Sequence, residues 1–261
     1  MSRQSSRLRI GAHVDSVNPL AEAEARGADL AQFFLSDPQG WRKPVPREDA
    51  AELRATDIAI YIHAPYLVNV ASANNRIRIP SRKILDQHAT AAADIGATGL
   101  IVHGGHLTAE EDVAEGILNW RKTVQRMVAA VPILVENTAG GENALARRLD
   151  GLARLWDAIG SDSRIGFCLD TCHAHAAGED LDSLVERVLA ITGRIDLVHA
   201  NDSKDAFGSN RDRHQNLGAG RIEPGALVSV VAAAGAPVVC ETPGGAAGQA
   251  ADITMLRDAG L

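Results

Sequence analysis

Short apolar runs recur along the chain. Each is followed by a polar turn and then by an alanine-rich stretch of helical character. Eight runs are predicted as strands: Arg9–Val14, Leu30–Leu35, Ala59–Ala64, Gly99–Gly104, Pro132–Asn137, Ile165–Asp170, Ile195–Asn201 and Pro237–Thr242. Helices are predicted after them, among them Pro80–Ile95, Ala109–Ala130, Ala144–Ile159, Asp180–Ile191 and Pro224–Ala234. Strand–helix alternation implies a parallel sheet. Eight such units in 261 residues imply an α/β fold closed into one (β/α)8 TIM barrel, which typically takes about 250 residues. A doubly wound open sheet competes, but no GxGxxG follows the first strand. No linker, low-complexity run or close repeat divides the chain, so one domain over 1–261 is expected, with 1–8 a flexible tail.

The strands are nearly continuous hydrophobic runs, as strands buried on both faces should be. Six of them nevertheless end in a residue a core would reject. These are His63 in AIYIHA, His103 in LIVHGG, Glu136 in ILVEN, Asp170 in GFCLD, His199 in DLVHAND and Glu241 in VVCET. In a TIM barrel such ends converge on the mouth that carries the active site. Three carboxylates crowded there would repel unless something positive joined them. Mixed imidazoles and carboxylates are what Zn2+ and similar ions take as ligands. Six donors exceed the needs of one tetrahedral ion, so at least two metals are expected. Asp170 and His173, three apart in LDTCHAHAAG, add a donor where the strand turns into its loop, while His175 is expected to point elsewhere. Asp212 and His214 alternate in RDRHQNLGAG, so in an extended loop both face one side. With His173 they make a third site.

Blander readings stand beside these. A lone strand-end histidine is more often a hydrogen-bonded core or surface residue than a ligand, and a lone strand-end aspartate commonly caps the next helix. Asp202 is read as such a cap. The metal reading rests on six strand ends together with the D-x-H loop. His13 is expected to line the mouth without ligating, and His88 to be structural. His106 in HGGH is left between alternative ligand and substrate contact. Cys172 has a neighbouring His but no nucleophile-elbow context, and is read with Cys240 as packing.

Composition narrows the picture. Hydrophobic residues make up 46% of the chain and aromatics 3%, which argues against an aromatic-rich sandwich. No apolar run approaches the ~20 residues of a membrane helix, and MSRQSSRLRI lacks the apolar core of a signal peptide. Three cysteines do not suggest a disulfide framework, so a reducing cytoplasm, beside the nucleoid in a bacterium, is the expected location. A formal charge of −7 argues against nucleic acid, but three divalent ions would bring −7 to −1. Loop cations Arg76, Arg78, Arg82 and Lys83, and Lys204, Arg211 and Arg213, are then candidates for phosphate contacts.

With these residues assembled, the chain resembles the endonuclease IV family of zinc-dependent apurinic/apyrimidinic endonucleases, its actinobacterial members in particular. The likeness runs from IGAHV to CETPGG through HAPYLVNVAS, VENTAGG, GFCLDTCHAHAAG and HANDSKDAFGSNRDRHQNLGAG. It implies three Zn2+ per chain, with Mn2+ the alternative occupant of one site. His63, His103 and bridging Glu136 would hold the first. Glu136, Asp170, His199 and Glu241 would hold the second, and His173, Asp212 and His214 the third. The implied reaction is hydrolysis of the phosphodiester 5′ to an abasic site in duplex DNA by a zinc-activated hydroxide, with Glu136 and Glu241 as catalytic carboxylates. Removal of 3′-blocking groups is a further activity of the family. The resemblance also makes Tyr66 and Leu67 a wedge at the lesion. Where the family often carries a loop arginine, this chain has Gln39, which puts lesion affinity in doubt; Arg42 is the nearest substitute. A monomer is expected, since one lesion needs one pocket. Two other classes compete. A sugar isomerase or epimerase on the same barrel would need fewer ligands, and a non-catalytic lesion binder should have lost a bridging ligand.

Overall fold

The computed structural model describes residues 7–141, 143–159 and 162–261. Eight parallel strands close into a barrel in sequence order: β1 Ile10–His13, β2 Leu30–Phe34, β3 Ala59–His63, β4 Gly99–His103, β5 Ile133–Glu136, β6 Ile165–Asp170, β7 Leu197–His199 and β8 Val238–Cys240. All eight fall within the predicted runs. β1 seals the ring, pairing with β2 through Gly11 and Leu30 and with β8 through Ile10 and Val238. A Cβ on Gly11 would lie 1.8 Å from the Leu30 carbonyl oxygen, so the seam closes there only around a glycine.

Among the described residues the helices are α1 Pro19–Ala25, α2 Ala50–Ala55, α3 Asn75–Asp94, α4 Val113–Val124, α5 Leu149–Ile159, α6 Thr171–Ala177, α7 Leu181–Thr192, α8 Pro224–Ala234 and α9 Gly245–Asp258. Helix α3 starts five residues before the predicted Pro80, because Asn74 caps it by accepting from the Arg76 N–H. Pro80 therefore lies inside the helix, where its missing N–H costs one backbone bond. Asp112 caps α4, so residues 109–112 of the predicted helix lie ahead of the observed one. Residues 1–6 of the expected tail lie outside the described residues, and Leu8 packs against the core.

Two cores result. The larger lies between barrel and helices. The smaller plugs the barrel with one side chain from each of seven strands: Leu30, Tyr61, Ile101, Leu134, Cys168, Leu197 and Val239. Side chains alternate along a strand, so the residue two positions further on points to the same face. Those residues are Gln32, His63, His103, Glu136, Asp170, His199 and Glu241, joined by His13 two after Gly11. Strand alternation over the plug thus stacks eight polar side chains, one per strand, in a layer at the C-terminal mouth.

Candidate metal centre

Glu136, fully buried on β5, sits at the middle of this layer. Its Oε2 lies 3.2 Å from His63 Nε2 and 3.4 Å from His103 Nε2. Its Oε1 lies 3.1 Å from His199 Nδ1 and 3.2 Å from His173 Nδ1. His199 Nδ1 is also 3.3 Å from Glu241 Oε2 and 3.9 Å from Asp170 Oδ2. Above, Asp212 Oδ1 lies 3.2 Å from His173 Nε2 and 3.1 Å from His214 Nε2. Among the described residues, three groups of donor atoms within 4.8 Å of one another match the expected sites: His63–His103–Glu136, Glu136–Asp170–His199–Glu241, and His173–Asp212–His214. A fourth such group joins Cys172 to Asp170 and His214.

Local structure explains the placement. The strand-to-loop turn expected after Asp170 is instead helix α6, which starts at the next residue. Asp170 caps it, its Oδ1 accepting the His173 N–H at 2.7 Å, and the cap swings His173 over the mouth. Asp202 caps no helix. Buried, it accepts backbone N–H bonds from Ser203, Gly218, Gly220 and Ile222, and so pins the long loop that carries Asp212 and His214. That loop folds back as a ribbon pairing Asp202–Ser203 with His214–Gln215.

The donor set fits divalent metal. Among the described residues His173 Nε2 and His214 Nε2 are buried without a well-directed hydrogen bond, although both lie close to Asp212 Oδ1, so the three donor atoms converge on one point. The opposite ring nitrogens are occupied. His63 Nδ1 donates to the Ala64 carbonyl at 2.7 Å, His173 Nδ1 to Asn137 at 2.9 Å and His214 Nδ1 to Glu241 at 3.3 Å. His199 Nε2 meets Gln32 Oε1 at 2.9 Å. Such outer bonds fix which nitrogen faces a metal. Asn201 Nδ2 donates to Asp170 Oδ2 at 2.7 Å and its Oδ1 accepts the Glu241 N–H at 2.8 Å, tying β6 to β8.

Metal-free, the cluster balances itself with protons. Burial opposes ionisation of Glu136, yet the positive His199 and hydrogen bonds from His173 and His199 hold it well below the usual carboxylate range. Burial penalises charged His173, but Asp170, Asp212 and Glu136 lift it well above the ordinary imidazole value. His214 is raised to about 9, burial being outweighed by Asp212, Asp170 and Glu241. Burial pushes His103 down to about 4 and the Cys172 thiol up to about 12.

Other sequence candidates lie around this centre. His13 stays outside the three groups, with Nδ1 3.5 Å from Glu241 Oε1 and 3.0 Å from Gln32 Nε2. His88 is buried between Ile84 and Ser36, and His175 bonds the Asp205 carbonyl. His106 lines a cavity of about 190 Å3 with Tyr66, His103, Thr138, His173 and Asp212. Tyr66, 53% exposed, packs its ring 5.6 Å from His63 and 5.8 Å from His103, and its N–H bonds Pro38 in the β2–α2 loop. Leu67 and Gln39 are exposed beside it in sequence and loop. Of the cations, Arg76 is exposed. Arg78 and Arg82 are not free: they bond the Ser72, Ala73 and Asn119 carbonyls and Thr123. Arg213 is held by Asp205 at 2.7 Å. Gln32 and Asn201 were not foreseen. A lone Gln within LAQFF belongs to no motif, but its register two residues past Leu30 marks it.

The sequence profile of a family described as xylose isomerase-like TIM barrels matches residues 20–259. The probable endonuclease 4 of Mycobacterium tuberculosis (strain ATCC 25177 / H37Ra) is 59% identical over 251 residues, 96% of this chain and 98% of the relative. The chain belongs to the endonuclease IV family. Endonuclease IV from Thermus thermophilus superposes with a TM-score of 0.80 at 29% identity, over 96% of this chain and 98% of that one. A D-tagatose 3-epimerase-like protein superposes at 0.78 with 18% identity, over 96% of each chain, a likeness of fold alone. In this endonuclease IV family member all nine positions of the expected ligand set bear a donor and lie within the three groups.

Proposed function

We propose that this family member is a zinc-dependent DNA-repair endonuclease. It hydrolyses the phosphodiester 5′ to an abasic site in duplex DNA, leaving a 3′-hydroxyl and a 5′-deoxyribose phosphate, and it also clears blocked 3′ ends. Three Zn2+ per chain are the cofactors, one in each of the three donor groups, and the protein acts as a monomer. The observation that carries this is Glu136, whose two oxygens face two of the groups at once.

Bound zinc would bring a water's pKa toward neutrality and offset the charge developing on a phosphodiester. The chain supplies the rest. Glu136 fixes the spacing of the first two groups, and Glu241 accepts the hydrogen bond that aims the attacking water. The new bond forms between water oxygen and phosphorus, the bond from phosphorus to the 3′-oxygen breaks, and that oxygen leaves as a hydroxyl. Tyr66 and Leu67 enter the duplex at the lesion, where no base resists extrusion. Gln39 and Arg76 contact the strands, and Arg213 reaches phosphate from its pairing with Asp205.

A sugar isomerase needs no third donor group, and His173–Asp212–His214 favours the nuclease. The test is incubation with a duplex carrying one tetrahydrofuran abasic analogue, which cannot undergo β-elimination. A nick on its 5′ side with a 3′-hydroxyl is expected. An intact duplex under full zinc loading would overturn the assignment.

A further inference from the structure

The polar layer at the mouth has eight members, and six make up the two donor groups that share Glu136. The two others, Gln32 on β2 and His13 on β1, touch the same ligand. Gln32 is fully buried. Its Nε2 donates to Glu241 Oε1 at 2.6 Å and to His13 Nδ1 at 3.0 Å, and its Oε1 lies 2.9 Å from His199 Nε2. An amide turned the other way would set its oxygen against a carboxylate, so chemistry fixes its orientation. Three consequences follow. With metal bound, His199 keeps its proton on Nε2, toward Gln32 Oε1, and the Nδ1 lone pair is turned to the side of Glu136 and Glu241. Glu241 has Oε1 occupied and Oε2 free on the His199 side. His13 accepts at Nδ1, so its own proton sits on Nε2.

His63, His173 and His214 are each oriented by a backbone carbonyl. His199 instead depends on one side chain, which also holds Glu241. We propose that Gln32 is a positioning residue of the metal centre: it selects Nδ1 as the donor atom of His199 and orients the Glu241 carboxylate. Burial makes the role expensive to lose, because an apolar replacement strands the His199 N–H and a Glu241 oxygen without partners. The role presupposes the metal-centre reading.

The test compares wild type with Gln32→Met, which keeps the volume and removes the amide, and with Gln32→Glu, which keeps an acceptor for His199 and removes the donor to Glu241. All are loaded with Zn2+, counted by mass spectrometry and challenged with a competing chelator. In Gln32→Met the zinc of the Glu136–Asp170–His199–Glu241 group should be lost at about 10–100-fold lower chelator concentration, with turnover reduced and KM for an abasic duplex within about twofold. Gln32→Glu should weaken the same zinc, since two carboxylates then oppose. Wild-type zinc retention and turnover in both variants would overturn the role. Should the variants fail to fold, nitrogen NMR of zinc-loaded wild type decides: His199 should show a protonated Nε2 and a metal-bound Nδ1, and the opposite tautomer overturns the proposal. A wild type that takes up no zinc removes the centre itself, whereas a loaded wild type beside unaltered variants removes only the part assigned to Gln32.

Discussion

Glu136 Oε1 lies 3.1 Å from His199 Nδ1, both side chains fully buried, while the second oxygen of the same carboxylate faces His63 and His103. A buried carboxylate shared in this way serves two sites. Replacing Glu136 by Gln halves its capacity as a bridge. Loss of an outer-shell partner typically costs about 10–100-fold, so loss of the bridge should lower nicking by more than about 100-fold. Zinc content should fall as well. Near-wild-type nicking by Glu136→Gln would place the carboxylate outside the chemistry.

Tyr66 overhangs His63 and His103 with its ring half exposed at the mouth. An exposed ring at the rim should serve the DNA and not the metal. Removing a contact of this size is worth roughly 1.5–3 kcal/mol, or about 10–100-fold in preference for abasic over intact duplex. Tyr66→Ala should show that loss in competition binding with zinc content unchanged. If zinc content falls and discrimination holds, the ring is scaffold.

Binding to DNA should weaken with salt, as phosphate contacts release counterions. Exposed Arg76 and Asp205-paired Arg213 differ in a way salt titration can read. Arg76→Ala should lower the slope of log affinity against log salt by about one. Arg213→Ala should change it less, since Asp205 already offsets that charge. Equal slopes for wild type and Arg76→Ala would remove Arg76 from the interface.

Protons and metal compete for His214. In the metal-free protein its pKa is raised to about 9 from 6.5, so the attraction to Asp212 and Asp170 stabilises the fold fully below 6.5 and is lost as pH rises through about 9. Metal binding must expel that proton, so zinc affinity should rise over the same range. Calorimetry should find that the metal-free protein melts at lower temperature as pH goes from 6.5 to 9, while zinc protection grows. A metal-free melting temperature that climbs across this window would contradict the proton-balanced cluster.

The barrel was legible because a buried strand recurs eight times, and the mouth because six of those strands end in a polar donor. The same register that plugs the barrel with Leu134 and Leu197 sets Glu136 and His199 two residues further on. What escaped was non-periodic. The two-residue ribbons, His106–Leu107 with Asn143–Ala144 and Asp202–Ser203 with His214–Gln215, are too short to leave a pattern. Helix α6 was hidden because Asp170 is at once strand end, cap and donor. Gln32 looked like one polar residue in an apolar run. Conversely, Arg78 and Arg82 read as free cations, because charge is visible in a sequence and the carbonyls that engage it are not.

The most direct test counts metal and abasic-site cleavage on one purified sample, using inductively coupled plasma mass spectrometry and a duplex with a single tetrahydrofuran site. About three zincs per chain, one for each donor group, together with a nick on the 5′ side, is the expected result. Three zincs without a nick, or a nick from protein stripped of metal, would contradict a metal-dependent abasic endonuclease.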